Sequence, residues 1–128
     1  MGLKILIFNL SDEKKAALQV IGRDMKIQLL EVRPVDYEQQ LGYLAGVTGF
    51  QKNGRSVMTS AFPLEMLVFS GFSSDRMDQF LDKYKQTGLP AIRLKAMITP
   101  SNIFWTPKKL FGEILQEHMQ MSQYNTKR

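Results

Sequence analysis

The sequence predicts an α/β domain: a small three-layer fold around a four-stranded parallel sheet of order 2-1-3-4, of flavodoxin-like type. Three observations predict it. Two nearly continuous apolar runs, Leu3 to Phe8 (LKILIF) and Leu64 to Phe69 (LEMLVF), read as strands buried on both faces. Two alternating segments, Lys26 to Arg33 (KIQLLEVR) and Ala91 to Ile98 (AIRLKAMI), read as half-exposed strands suited to sheet edges. Helical patterns follow the strands, and such alternation implies parallel strands joined by crossovers. The order 2-1-3-4 is the one that places both buried runs in the middle.

The elements follow in order. After the first strand, Ser11 caps a helix with Asp12 and Glu13 in its first turn, as the helix dipole prefers. Leu18, Ile21 and Met25 mark its apolar face. Pro34 closes the second strand. Asp36 with Gln39 resembles a capping box, Tyr37, Leu41 and Leu44 form the face of a short helix, and Gly46 ends it. Val47 to Pro63 has no helical period and centres on Asn53-Gly54, a type I′ turn signal. It predicts an inserted hairpin or loop between strands 2 and 3. After the third strand, Ser73 or Ser74 caps a helix whose face is Met77, Phe80, Leu81 and Tyr84, stopped by Gly88 and Pro90. Thr106 caps the last helix with Pro107 at its first position, and Phe111, Ile114, Leu115 and His118 share a face. The first and third strands, with their turns and helices, echo one another as two equivalent βα units.

A chain of 128 residues is one domain, here residues 1–122, with 123–128 a basic, frayed tail. The absence of Cys excludes a disulfide framework, a thiolate metal site and a cysteine nucleophile, and one His leaves little for an imidazole centre. No metal or cofactor is predicted. The longest apolar run, Met66 to Phe69, is far short of a membrane span, and Met1 to Lys4 leads into a strand instead of a signal peptide. The expected setting is cytoplasmic, with no membrane. Seventeen basic against twelve acidic residues, net +5, permit a polyanionic partner without demanding one. The clearest imbalance lies between Glu38 and Glu65, where the only charges are Lys52 and Arg55.

Chemistry is sought first at the strand ends, where open parallel sheets bind ligands. The candidate crevice residues are Asn9, Asp36, Tyr37, Ser70 and Asn102. A phosphate-binding Gly loop is missing after strand 1, and Asp12, Glu13 and Asp75 would repel an anion at the two central helix starts. Strand 3 ends in Phe69-Ser70, without the Asp of a phospho-receiver. Ser70 is followed by a glycine but is not in a G-x-S-x-G elbow, and His118 sits at the far end of its helix.

Two further sets stand out. Thr106, Lys108 and Lys109 open the last helix against the dipole preference, beside Phe104 and Trp105, and suit an anion; the bland reading is a solvated lysine pair. Phe50, Lys52, Arg55, Met58 and Phe62 suit a partner contact on a projecting arm; the bland reading folds Phe50 and Phe62 back on the domain. Gly42 and Gly46 permit close packing, or Gly46 and Gly49 hinge a lid bringing Tyr37 and Tyr43 to a ligand.

The runs Asp36 to Gly46 (DYEQQLGYLAG), Glu65 to Phe72 (EMLVFSGF), Leu81 to Gly88 (LDKYKQTG) and Leu94 to Trp105 (LKAMITPSNIFW) resemble those of a family of small bacterial cytosolic proteins catalogued as a domain of unknown function. The resemblance implies a single α/β domain and brings no catalytic residue with it. The leading reading is a binding or regulatory module acting through a protein partner or a second copy. The alternative is an RNA- or nucleotide-associated module using the turn Trp105 to Lys109. An enzyme ranks third, because it needs Asn9, Asp36, Tyr37 and Asn102 to converge.

Overall fold

The computed structural model describes residues 2–55 and 60–126, with side chains described as far as residue 119. Four strands, β1 (Leu3–Phe8), β2 (Ile27–Glu31), β3 (Met66–Ser70) and β4 (Leu94–Met97), form one sheet. The helices are α1 (Asp12–Met25), the four-residue α2 (Leu41–Leu44), α3 (Ser74–Gln86) and α4 (Pro107–Thr126). Short 3-10 turns occupy Pro34–Asp36 and Asn102–Phe104. Ser11, Ser73 and Thr106 cap α1, α3 and α4: their side-chain oxygens accept the N–H groups of Lys14, Arg76 and Lys109.

The order is β2-β1-β3-β4, as expected, with the two alternating strands at the edges. The sheet is mixed, however, which corrects the all-parallel, flavodoxin-like expectation. β1 runs parallel to β2 and β3 to β4, but β1 and β3 pair antiparallel, from Lys4↔Ser70 to Phe8↔Met66. The cause lies in the long connection from Val32 to Glu65. A parallel return needs a crossover, usually a full helix lying along the sheet. Here only the four residues of α2 are helical where a helix was expected over Tyr37 to Leu44, and no full helix in this connection lies along the sheet. β3 therefore starts at the end of the sheet where β2 stops. The echoing segments become two βαβ halves, β1-α1-β2 and β3-α3-β4, related by an approximate two-fold axis through the sheet.

The antiparallel junction has a local consequence. The start of β3 lies beside the start of α1, so Glu65 accepts the Ser11 N–H at 3.0 Å and pairs with Lys14. A carboxylate of the chain itself fills the electropositive helix end.

Residues within each central strand divide between two cores. Ile5, Ile7, Leu67 and Phe69 meet Leu18 and Ile21 of α1 and Phe80 of α3. Leu6, Phe8, Met66 and Val68 meet Leu110 and Phe111 of α4, with Tyr37 and Leu41. Both faces are thus covered, which is what continuous apolar runs demand.

Candidate functional site

The antiparallel pairing separates the expected crevice residues. Asn9 lies past the β3-proximal end of β1, at φ +55°, and its Nδ2 donates to the Phe62 carbonyl at 2.6 Å. Tyr37 meets the same residue: it is buried, and its hydroxyl accepts the Phe62 N–H at 3.4 Å. Burial raises the Tyr37 pKa, the bond from Phe62 offsetting part of the rise. Ser70 is at the other end of the sheet, opposite Lys4. Asn102 is buried and occupied, its Oδ1 accepting the Thr99 N–H and its Nδ2 donating to the Met97 carbonyl. Asp36 stands apart in a hollow of about 460 Å³ along the free edge of β2, with Arg33, Tyr43 and Lys52. Strand ends pointing in opposite directions gather no single pocket from these five.

The segment after α2 is loop. No strand pairing occurs in its described part, so the hairpin expectation is not met there. Asn53-Gly54 forms an Asx turn instead, with the Asn53 Oδ1 accepting the Arg55 N–H at 2.8 Å. Gln39 holds that turn. It is 1% exposed, its Oε1 accepts the Asn53 N–H, and its Nε2 donates to the carbonyls of Asn53 and Arg55. Read from sequence as half of a capping box, Gln39 is the clamp of the loop.

Phe50 and Phe62 of the loop turn inward. Phe62 is sandwiched between Tyr37, centroids 3.9 Å apart, and Phe111, at 4.2 Å, both rings nearly parallel to it. Phe50 lies on Gly42, where a Cβ would come within 2.8 Å of its ring. The glycine is there for close packing. Lys52 and Arg55 are exposed, and Met58 falls outside the described residues.

The structure brings two of the expected sets together. Phe50 meets Phe104 at 5.4 Å. Phe104 is 60% exposed, the turn that carries it held by Gln40, whose Nε2 donates to the Phe104 carbonyl, and by the Leu41 N–H, which donates to the Trp105 carbonyl. Trp105 packs half-buried on the α4-side core, and the Lys109 ammonium sits 4.9 Å over its ring. Lys108 is exposed beside it. The Thr106 hydroxyl is committed to the helix cap. The result is an aromatic ledge with two lysines on a fixed backbone. Sequence spacing does not show Phe50 beside Phe104, because the contact joins residues more than fifty positions apart.

Among the described residues, no group of His, Cys, Asp and Glu could hold a metal ion, and no helix is long and apolar enough to cross a membrane. Residues 65–121 match the model of a family described as a domain of unknown function (DUF3783). The match covers β3, α3, β4 and much of α4, and so includes three of the four runs that carry the resemblance; Asp36 to Gly46 lies outside it. No curated protein and no solved structure matches the chain.

Proposed function

We propose that the chain is a binding module acting through protein contacts, and that it docks its partner on the ledge formed by Phe50, Phe104, Trp105, Lys108 and Lys109. The observation that carries this reading is Phe104: a large aromatic, 60% exposed, on a turn fixed by backbone and side-chain hydrogen bonds. Aromatic anchors on rigid supports are the residues that dominate interface energy, because they bury much area at little entropic cost. The lysines select a partner segment with an apolar anchor and an acidic flank. The residues first considered for chemistry support a binder over an enzyme, since Asn9, Tyr37 and Asn102 are spent on the loop and turn they hold. A bacterial, cytoplasmic setting, implied by the resemblance, belongs to the same proposal.

A second reading, RNA through the same ledge, is favoured by one observation: the Lys109 ammonium over the Trp105 ring, beside a segment free of acids. Tagged full-length protein, wild type and Phe104→Asp, is used to capture partners from its own cell extract with and without nuclease. A protein retained by wild type, lost with Phe104→Asp and indifferent to nuclease supports the proposal. Loss of all captured material on nuclease treatment transfers the ledge to RNA. Equal capture by both forms removes the ledge.

A further inference from the structure

A second site lies on the opposite side of the sheet. Two helices cover four strands on that face, and the short edge strand β4 is left partly bare. Its residues alternate: Leu94 points into the α4-side core, while Lys95 pairs with Leu67, whose side chain faces α3. An exposed lysine of the edge strand therefore stands on the face that α3 covers further in. Between α3 and β4 this leaves a cavity of about 400 Å³, within the ~300–1,000 Å³ range of small-molecule sites.

The walls are apolar. Phe80, Tyr84 and Ile92 form a buried floor, and Leu81, 38% exposed, and Leu89 form the lip. The rim loop is fixed at two points: the Tyr84 hydroxyl donates to the Pro90 carbonyl at 2.7 Å, and the Lys95 ammonium to the Ile92 carbonyl at 2.5 Å. That bond uses one of the three donors of Lys95. Among the described residues, the charged ones lining the cavity are Lys85 and Lys95, with no carboxylate. The ion pairs found among the described residues are Lys14–Glu65, Lys15–Glu31 and Lys83–Asp24, so neither lining lysine has an internal counter-charge there.

We propose that the α3–β4 cavity binds a small amphipathic carboxylate, its hydrocarbon body against Tyr84, Leu81 and Leu89 and its carboxylate on the free donors of Lys95. The physical case is complementarity. Apolar walls favour a hydrocarbon body, and a cation without a partner favours an anion over a neutral ligand of the same shape. Desolvation against these walls lowers the Lys95 pKa, the direction expected of an ammonium lacking a counter-ion. The site is independent of the ledge, which belongs to the other face of the sheet.

The test is a titration of the isotope-labelled full chain with octanoate, 1-octanol and octylammonium, followed by amide chemical shifts. Octanoate is expected to saturate near or below about 1 mM, with shifts centred on Leu81, Tyr84, Leu89 and Ile92. Lys95→Met keeps the stem and removes the charge; it should weaken octanoate about tenfold and leave octanol unchanged. Ala91→Trp, which fills the rim, should abolish both, while Lys109→Met on the far face should change neither. Equal affinity for octanoate and octanol in the wild type would overturn the assignment of an anion. Shifts without saturation, or centred away from these residues, would overturn the site.

Discussion

Replacing Phe62 by Ala tests whether the loop is anchored as described. The ring is 8% exposed, flanked by Tyr37 at 3.9 Å and Phe111 at 4.2 Å, and tilted against Phe8 at 5.9 Å. Phe→Ala in a packed core costs about 3–5 kcal/mol, a figure that includes the aromatic contacts. Phe62 sits on a loop that can settle inward, so the low end, about 3 kcal/mol, is expected here. That is a large part of a typical total of about 5–15 kcal/mol, and corresponds to a Tm lower by about 10 °C. Phe62→Leu keeps most of the volume and should cost no more than about 1.5 kcal/mol. Urea unfolding followed by far-ultraviolet circular dichroism and by Trp105 fluorescence measures both variants. A loss below about 1 kcal/mol for Phe62→Ala, at unchanged m-value, would refute the stack and return Phe62 to the surface.

Gln39→Ala removes the clamp on the Asn53 turn and leaves partly buried backbone groups without this partner; a cost of about 1 kcal/mol and faster tryptic cleavage after Lys52 and Arg55 are expected, and unchanged cleavage would contradict the clamp. Gly71→Ala should destabilise more than Gly88→Ala, measured as the difference in urea midpoint. Both residues have positive φ, but only at Gly71 would the Cβ also press on the Gly2 carbonyl, at 3.0 Å. Burial raises the Tyr37 pKa, so the unfolded chain releases this proton first as pH rises. Its contribution is intact below the unfolded value of about 10 and is lost from there through the folded pKa, and Tyr37→Phe should flatten that part of the stability–pH curve.

The strands, their order and the three main helix caps were legible because each depends on local pattern. Ser11 and Thr106 cap where their sequence positions say they should, Ser73 is the cap of the two serines the sequence offers, and LKILIF is central because it has no polar face. Strand direction was not legible from the strands, since a run buried on both faces is apolar whichever way it points. The difference lies in the connection: only four residues of helix form between Val32 and Glu65, and the chain re-enters the sheet at the end where β2 stops. Gln39 was misread because a buried glutamine bonded to a distant turn has the same local spacing as a capping residue. The ledge was legible only in halves. Trp105 with Lys109 follows from helix geometry, but the approach of Phe50 to Phe104 depends on how a loop folds back. Lys95 is exposed, as the alternation of its strand predicts; the apolar hollow beside it, between α3 and β4, depends on how the helix packs and leaves no local pattern.

Site-specific photo-crosslinking in the cell of origin tests the docking ledge most directly. A photoreactive phenylalanine analogue is placed at Phe104 in one form and at Val20 in another. Both positions are apolar and 60% exposed, but Val20 lies on α1, on the other face of the sheet. The account predicts a discrete protein adduct from position 104, weakened by Lys109→Glu, and none from position 20. An adduct from position 20 alone, or none from position 104 under conditions where the protein is folded, would contradict it.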